Sequence, residues 1–152
     1  MSESMEERQL QFRKMKIQDI SAVVQIENQL FSQPWSKQAF LESMEEDTLF
    51  VVAADQHEIV GYCGMYCSFE EGEITNVAVK QGNQNRGIGG RMLQYLLAQA
   101  RQRNISHIIL EVRVSNENAI HLYEKLGFQN CGIRKNLYEM PKEDGMIMLL
   151  EG

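Results

Sequence analysis

A single mixed α/β sheet of about seven strands, flanked by about four helices on both faces, is the fold class this 152-residue sequence predicts. Three observations point there. Apolar residues in the first half come in short β-branched runs such as "TLFVVAA" and "IVGYCGMYCSF". After "KQGNQNRGIGG" the period turns helical, with Ile88, Met92, Leu93, Leu96, Leu97 and Ala100 on one stripe. Strand, helix and strand then follow in "HIILEVRV", "NENAIHLYEKL" and "FQNCGIR", with Gly127 at the turn, which predicts a right-handed crossover and parallel neighbours.

Taken in order, "LQFRKMK" reads as a first strand. "QDISAVVQIENQLF" carries a helical stripe of Ile20, Val23, Val24, Ile26, Leu30 and Phe31. A second helix restarts after Pro34, with Ser36 as its expected cap. "TLFVVAA", "IVGYCGMYCSF" and "GEITNVAVK" form a meander, joined by "DQHE" and "EEG". The long helix ends near Asn104, the next at Gly127, and a polar loop "KNLYEMPKEDG" separates the last two strands. The whole of 1–152 reads as one domain, with 1–9 an acidic, flexible lead.

Composition excludes several function classes. A net charge of -6 argues against generic nucleic-acid binding, which needs cations to neutralise phosphates, and suits a cationic partner. No apolar run approaches the ~20 residues of a membrane span. The opening "MSESMEERQ" has acids where a secretory signal has a basic region, so the expected address is the cytoplasm. Three cysteines make an odd count, and Cys63 and Cys67 lie roughly 13 Å apart if they share a strand. His57, His107 and His121 show no ligand spacing, and no metal is expected.

Two segments carry chemistry. In "QNRGIGG" the glycines at 87, 89 and 90 let the backbone approach a ligand and leave the first helical N–H groups clear, an arrangement that attracts phosphate. Arg86 adds a charge. No GxxxxGK[ST] is present, and a dinucleotide GxGxxG would need glycine where Met92 stands. In "IILEVRV" the two-residue alternation sets Ile109, Glu111 and Arg113 on one face. That leaves two readings: a structural Glu111–Arg113 pair, or a strand bordering a working site.

Gln84-x-x-Gly87-x-Gly89, between the strand "ITNVAV" and an amphipathic helix, resembles the acetyl-CoA-binding motif of the GNAT N-acetyltransferase superfamily. "LEVR", "SN", "LY", "LGF" and "IRKNLY", with "QPWS" near the front, are similar to the RimI branch, the bacterial ribosomal-protein alanine N-acetyltransferases. The likeness runs from about Phe12 to Leu150. It implies the GNAT fold and direct attack of an amine on acetyl-CoA, which serves as co-substrate.

Such a reaction needs a base for the amine, a donor for the tetrahedral oxyanion and a proton for the departing thiolate. The resemblance gives Glu111 the role of base, working through water, and burial in an apolar strand would raise its pKa toward usefulness. It gives Tyr123 the role of acid toward the sulfur. A phenol near 10 and a thiol near 8.5 make that donation close to balanced. Asn116, seven residues before Tyr123, is implied to bond the pantetheine arm and also competes with Ser115 as helix cap. Cofactor contacts are implied for Gln84, Asn85, Arg86, Gly87, Ile88, Gly89 and Gly90. A bulge in "NVAV" is implied to turn main-chain groups of Val77, Ala78 and Val79 toward the cofactor.

The resemblance sets the acceptor between the loop of Pro34 and Trp35 and the loop of Tyr138. Trp35 reads equally as a core plug. "YEMPKEDG" departs from the branch, where a second aromatic and an earlier proline are usual. The implied substrate is the N-terminal amine, alanine in this branch, of a basic small-subunit ribosomal protein, with no direct nucleic-acid contact. Two other readings stand beside it: an acetyltransferase for a small molecule or a lysine amine, and a non-catalytic acyl-CoA-binding module.

Overall fold

The computed structural model describes residues 10–56 and 58–152, so the expectation of a flexible 1–9 lies outside the described residues. The elements run β1 (Leu10–Lys14), a 3-10 turn (Ile17–Asp19), α1 (Ile20–Leu30), α2 (Lys37–Met44), β2 (Thr48–Asp55), β3 (Glu58–Ser68) and β4 (Glu71–Val79). Then come α3 (Ile88–Gln102), β5 (His107–Arg113), α4 (Glu117–Lys125), β6 (Gln129–Glu139) and β7 (Lys142–Glu151). The seven strands form one sheet in the order β1-β2-β3-β4-β5-β7-β6. β4 and β5 are parallel neighbours, and the other pairs run antiparallel.

β2 shows why the centre of the sheet needs cover on both sides. Leu49, Val51 and Ala53 face the α3/α4 layer, while Phe50, Val52 and Ala54 face α1 and α2, and all six are buried. α3 seals its layer with Met92, Leu93, Leu96, Leu97 and Ala100, the residues its period marks out. On the other face Phe40 packs edge-on to Phe50 and Tyr62, with ring centroids 5.9 and 5.6 Å away. Ser36 caps α2 as expected, accepting from the Ala39 N–H at 3.1 Å.

Two expectations are corrected. β5 and β6 point the same way but are not neighbours, because β7 folds back from the hairpin and slots between them. Composition explains the choice: β7 offers Met146, Met148 and Leu150 to the interior, whereas β6 is exposed along most of its length and suits an edge. The polar segment expected as a loop is mostly strand. β6 runs to Glu139, bulged between Arg134 and Tyr138, and only Met140-Pro141, joined by a cis peptide bond, turns the chain.

The entry to α1 is pinned by charge. Arg13 donates to both oxygens of buried Asp19, at 2.7 and 3.0 Å, and the Lys16 N–H adds a third bond at 2.8 Å. Hydrogen bonding from Arg13 holds the Asp19 carboxyl below its ordinary range, outweighing burial. A carboxyl with a lowered folded pKa adds stability above its unfolded value near 3.9, lost as pH falls through the folded value. Asp19→Asn is therefore expected to lower urea stability by about 1–3 kcal/mol at neutral pH. The gap to the unsubstituted protein should shrink as pH falls below the unfolded value of about 3.9, and a gap independent of pH would remove the charge argument.

Candidate active site

The site begins where the two parallel strands part. β4 and β5 pair from Glu71 opposite His107 to Ile74 opposite Leu110 and no further, while β4 stays with β3 to Val79 and β5 with β7 to Arg113. Ile74 opposes Met65 and Asn76 opposes Gly64, which leaves Thr75 as the extra residue of a bulge. The expected bulge is therefore present but sits just before "NVAV". The Lys80 N–H bonds the Val60 carbonyl at 2.7 Å, and this fixes the phase of the antiparallel pairing. Main-chain groups of Val77 and Val79 consequently face the gap, and Gln84 Nε2 reaches the Val79 carbonyl there at 2.9 Å. Those of Ala78 turn toward β3, where its carbonyl lies 3.0 Å from the place a Cβ on Gly61 would take. Ala78 is thus a buried strand residue whose main chain is engaged with β3, contrary to its expected place at the gap.

One end of the gap is closed by the start of α3. Asn85 and Gly87 take left-handed backbone angles, φ 64° and 77°, and turn the chain into the helix. The first bond of the helix runs from the Arg91 N–H to the Gly87 carbonyl, so the N–H groups of Ile88, Gly89 and Gly90 precede the helical ladder and carry the positive end of its dipole. A Cβ on Gly90 would stand 3.2 Å from Leu122 of α4, and glycine there lets the two helices close. These donors and the gap-facing main chain of Val77 and Val79, where Gln84 takes the Val79 carbonyl, fit a pyrophosphate followed by an extended amide-bearing arm.

A cleft of about 560 Å³ occupies the gap. Its lining includes Val77, Glu111, Asn116 and Tyr123, with Trp35 and Tyr138 at the far mouth. Pro34 is exposed beside Trp35 but is not part of the wall. Gln84, Asn85, Arg86 and the glycines are outside this lining.

Glu111 departs from the expected setting. Its strand face is uncovered, and its side chain is 32% exposed and bonded at 2.9 Å to Arg134 of β6. Arg113 is not its partner. It donates to the carbonyls of Pro141 at 2.7 Å and Met140 at 3.0 Å, meets Glu143 at 3.2 Å, and stacks 4.3 Å from the centre of the Tyr138 ring. Ser32 holds the same Met140 carbonyl from the α1 side at 3.0 Å, so Arg113 and Ser32 fix the β6–β7 turn across the cleft mouth.

Tyr123 is 8% exposed and packs edge-on to Phe128, with centroids 5.9 Å apart. Burial, helped by Cys63 and Tyr138, pushes its phenol up to about 12. Asn116 is the cap of α4, accepting from the Ala119 N–H at 3.2 Å, whereas the Ser115 N–H turns to Glu143 at 2.8 Å. Trp35 packs as its core reading expects, with its ring 5.1 Å from that of Phe40, and it also lines the cleft.

Sequence reasoning missed Glu27, Thr75, Asn76 and Arg134. Glu27 is the informative omission, since it stands four residues after Val23 on the apolar stripe of α1 and is only 2% exposed. A carboxylate on such a stripe is a signal readable without a structure.

A mixed sheet opened between its two parallel strands, with a helix N-terminus beside the opening, suits an acyltransferase that works with a CoA thioester. The chain belongs to the acetyltransferase (GNAT) family, whose pattern it matches over residues 20–128, and it is an acetyl-CoA-dependent N-acetyltransferase. It is 32% identical over 134 residues to the ribosomal protein bS18-alanine N-acetyltransferase of Escherichia coli K12, covering 87% of this chain and 90% of that protein. A Bacillus subtilis protein whose name assigns the same activity provisionally is 35% identical over 139 residues, with 90% and 91% covered. The crystal structure of the ribosomal-protein-S18-alanine N-acetyltransferase from Escherichia coli superposes with a TM-score of 0.88 at 30% identity, covering 93% of each chain. Among the described residues no helix is long and apolar enough to cross a membrane.

Proposed function

We propose that this protein, acting as one domain in the cytoplasm, acetylates the free N-terminal amine, alanine first, of a basic ribosomal protein. The observation that carries the reading is the cleft where β4 and β5 part, with Glu111, Tyr123, Trp35, Tyr138 and the 140–141 turn on its wall, beside the N–H-rich loop that Gln84 ties to the Val79 carbonyl. The bS18-alanine activity named for its relatives supports the same substrate.

Acetyl-CoA supplies the activated carbonyl, and the chain's residues do the rest. Ile88, Gly89 and Gly90 offer N–H groups to the pyrophosphate, with Gln84, Asn85, Arg86 and Gly87 shaping the loop around it. Val77 and Val79 present main-chain groups to the arm and thioester, and Asn116 presents its amide. Glu111 takes the proton of the attacking amine through water. An α-amine near 7.7–8.0 is on the order of a tenth neutral at pH 7, whereas lysine near 10.4 asks for roughly 2.5 units more. A mouth that Trp35, Tyr138 and a clamped turn line suits an extended peptide end, with Pro34 beside it.

Basic peptides beginning with Ala or Ser, offered beside N-terminally blocked copies that keep a lysine, test this by mass spectrometry. Acetylation of the free N-termini alone is expected. Faster turnover of lysine or of small amines would defeat the substrate claim.

The clamp gives a further prediction. Lysine at 113 keeps the charge but cannot fork two carbonyls or cover Tyr138 with a planar group. Arg113→Lys is expected to raise the peptide KM about tenfold and leave the acetyl-CoA KM unchanged, the mark of lost acceptor binding. Equal changes in both would show that the turn is not an acceptor wall.

A further inference from the structure

Glu27 is buried on α1 beneath the cleft, where an ionised carboxylate costs several kcal/mol unless every lone pair is used. Its Oε1 accepts the Trp35 N–H at 2.8 Å, and its Oε2 accepts the hydroxyl of fully buried Tyr62 on β3. Asn76 Nδ2 donates to the Tyr62 oxygen at 3.3 Å, and the Thr75 hydroxyl donates to Asn76 Oδ1 at 2.5 Å. Four residues and one main-chain N–H thus form a continuous chain from the loop before α2 to the bulge of β4. An apolar residue at 27 would fill this place at less cost, so packing does not account for an acid here. Burial pushes the Glu27 carboxyl up, against the Trp35 and Asn76 bonds.

The two ends of the chain are the two sides of the site. Thr75 and Asn76 lead into the main chain that faces the thioester, and Trp35 stands at the acceptor mouth. We infer that Glu27 is a positioning residue for acetyl transfer: through Tyr62 it locks the acceptor loop to the bulged strand, and so sets the distance between amine and thioester. A fully satisfied polar chain in a low-dielectric interior has one arrangement, which apolar packing alone does not impose.

The inference rests on the acetyl-transfer reading, and Trp35 allows the two to be separated, because it is the protein's one tryptophan and its emission reports the loop directly. Glu27→Gln keeps the shape but offers an NH2 where the Tyr62 hydroxyl needs an acceptor, and Tyr62→Phe cuts the chain at its middle. Each leaves a buried partner unpaired and is expected to lower the melting temperature, to shift Trp35 emission and to raise the peptide KM about tenfold, with acetyl-CoA affinity unchanged, a split that a merely structural loss would not produce. The double variant should be no worse than the more affected single one, as for one device. Additive losses, or unchanged emission and peptide KM, would overturn the inference. If the unsubstituted protein acetylates no peptide, the substrate reading falls, and the emission of the two variants still decides the role of Glu27.

Discussion

Glu111→Gln is expected to cut kcat on an N-terminal alanine peptide by about 10²–10³-fold, the usual worth of a positioned general base. The amide has the shape of the acid and can still accept from Arg134, but it cannot take a proton from water or amine. Acetyl-CoA affinity should hold within about twofold, since the loss falls on a transition-state interaction and not on cofactor binding. Stability is the control. An ion pair as exposed as Glu111 with Arg134 is worth about 0–1 kcal/mol, so the melting temperature should barely move. Steady-state kinetics beside calorimetric titration with CoA measure both quantities. A variant with undiminished kcat would reduce Glu111 to the surface partner of Arg134.

The reach of sequence reasoning follows from the range of each interaction. Helix and strand periods are local, so the α3 stripe, the β2 run and the Ser36 cap were legible from neighbours a few residues apart. The position of β7 was not, because it depends on which of two late strands better tolerates burial, a comparison made only when the sheet closes. The same limit explains Glu111. Alternation correctly set Glu111 and Arg113 on one face, yet no pattern tells that this face stays uncovered, or that Arg134 and the 140–141 turn supply their partners from 23 and 27 or 28 residues away. The Thr75 bulge is likewise written in the pairing of β3 with β4 and in neither strand alone. Glu27 differs, since its place on the α1 stripe was open to reading and only its partners were hidden.

Tyr123→Phe is expected to lower kcat about 10²-fold with little change in stability, because the ring that packs on Phe128 remains and only the hydroxyl is lost. The environment of that hydroxyl also defines how it acts. With the phenol pushed up to about 12, full transfer of its proton to a thiolate whose acid lies near 8.5 is uphill, where an ordinary phenol would be closer to balance. In the proposed reaction its service would therefore be a hydrogen bond that strengthens as charge gathers on the sulfur, a donor held in place before the bond breaks. The sign for pH follows. An acid works while protonated, so its rate limb falls as pH rises through its pKa, and a value of about 12 moves that limb out of the ordinary working range. The kcat profile should accordingly stay level to about pH 10.5 wherever the amine is already neutral. A limb centred near pH 10 that vanishes in Tyr123→Phe would mean that the phenol is solvated and ordinary, and that burial against Phe128 does not tune it.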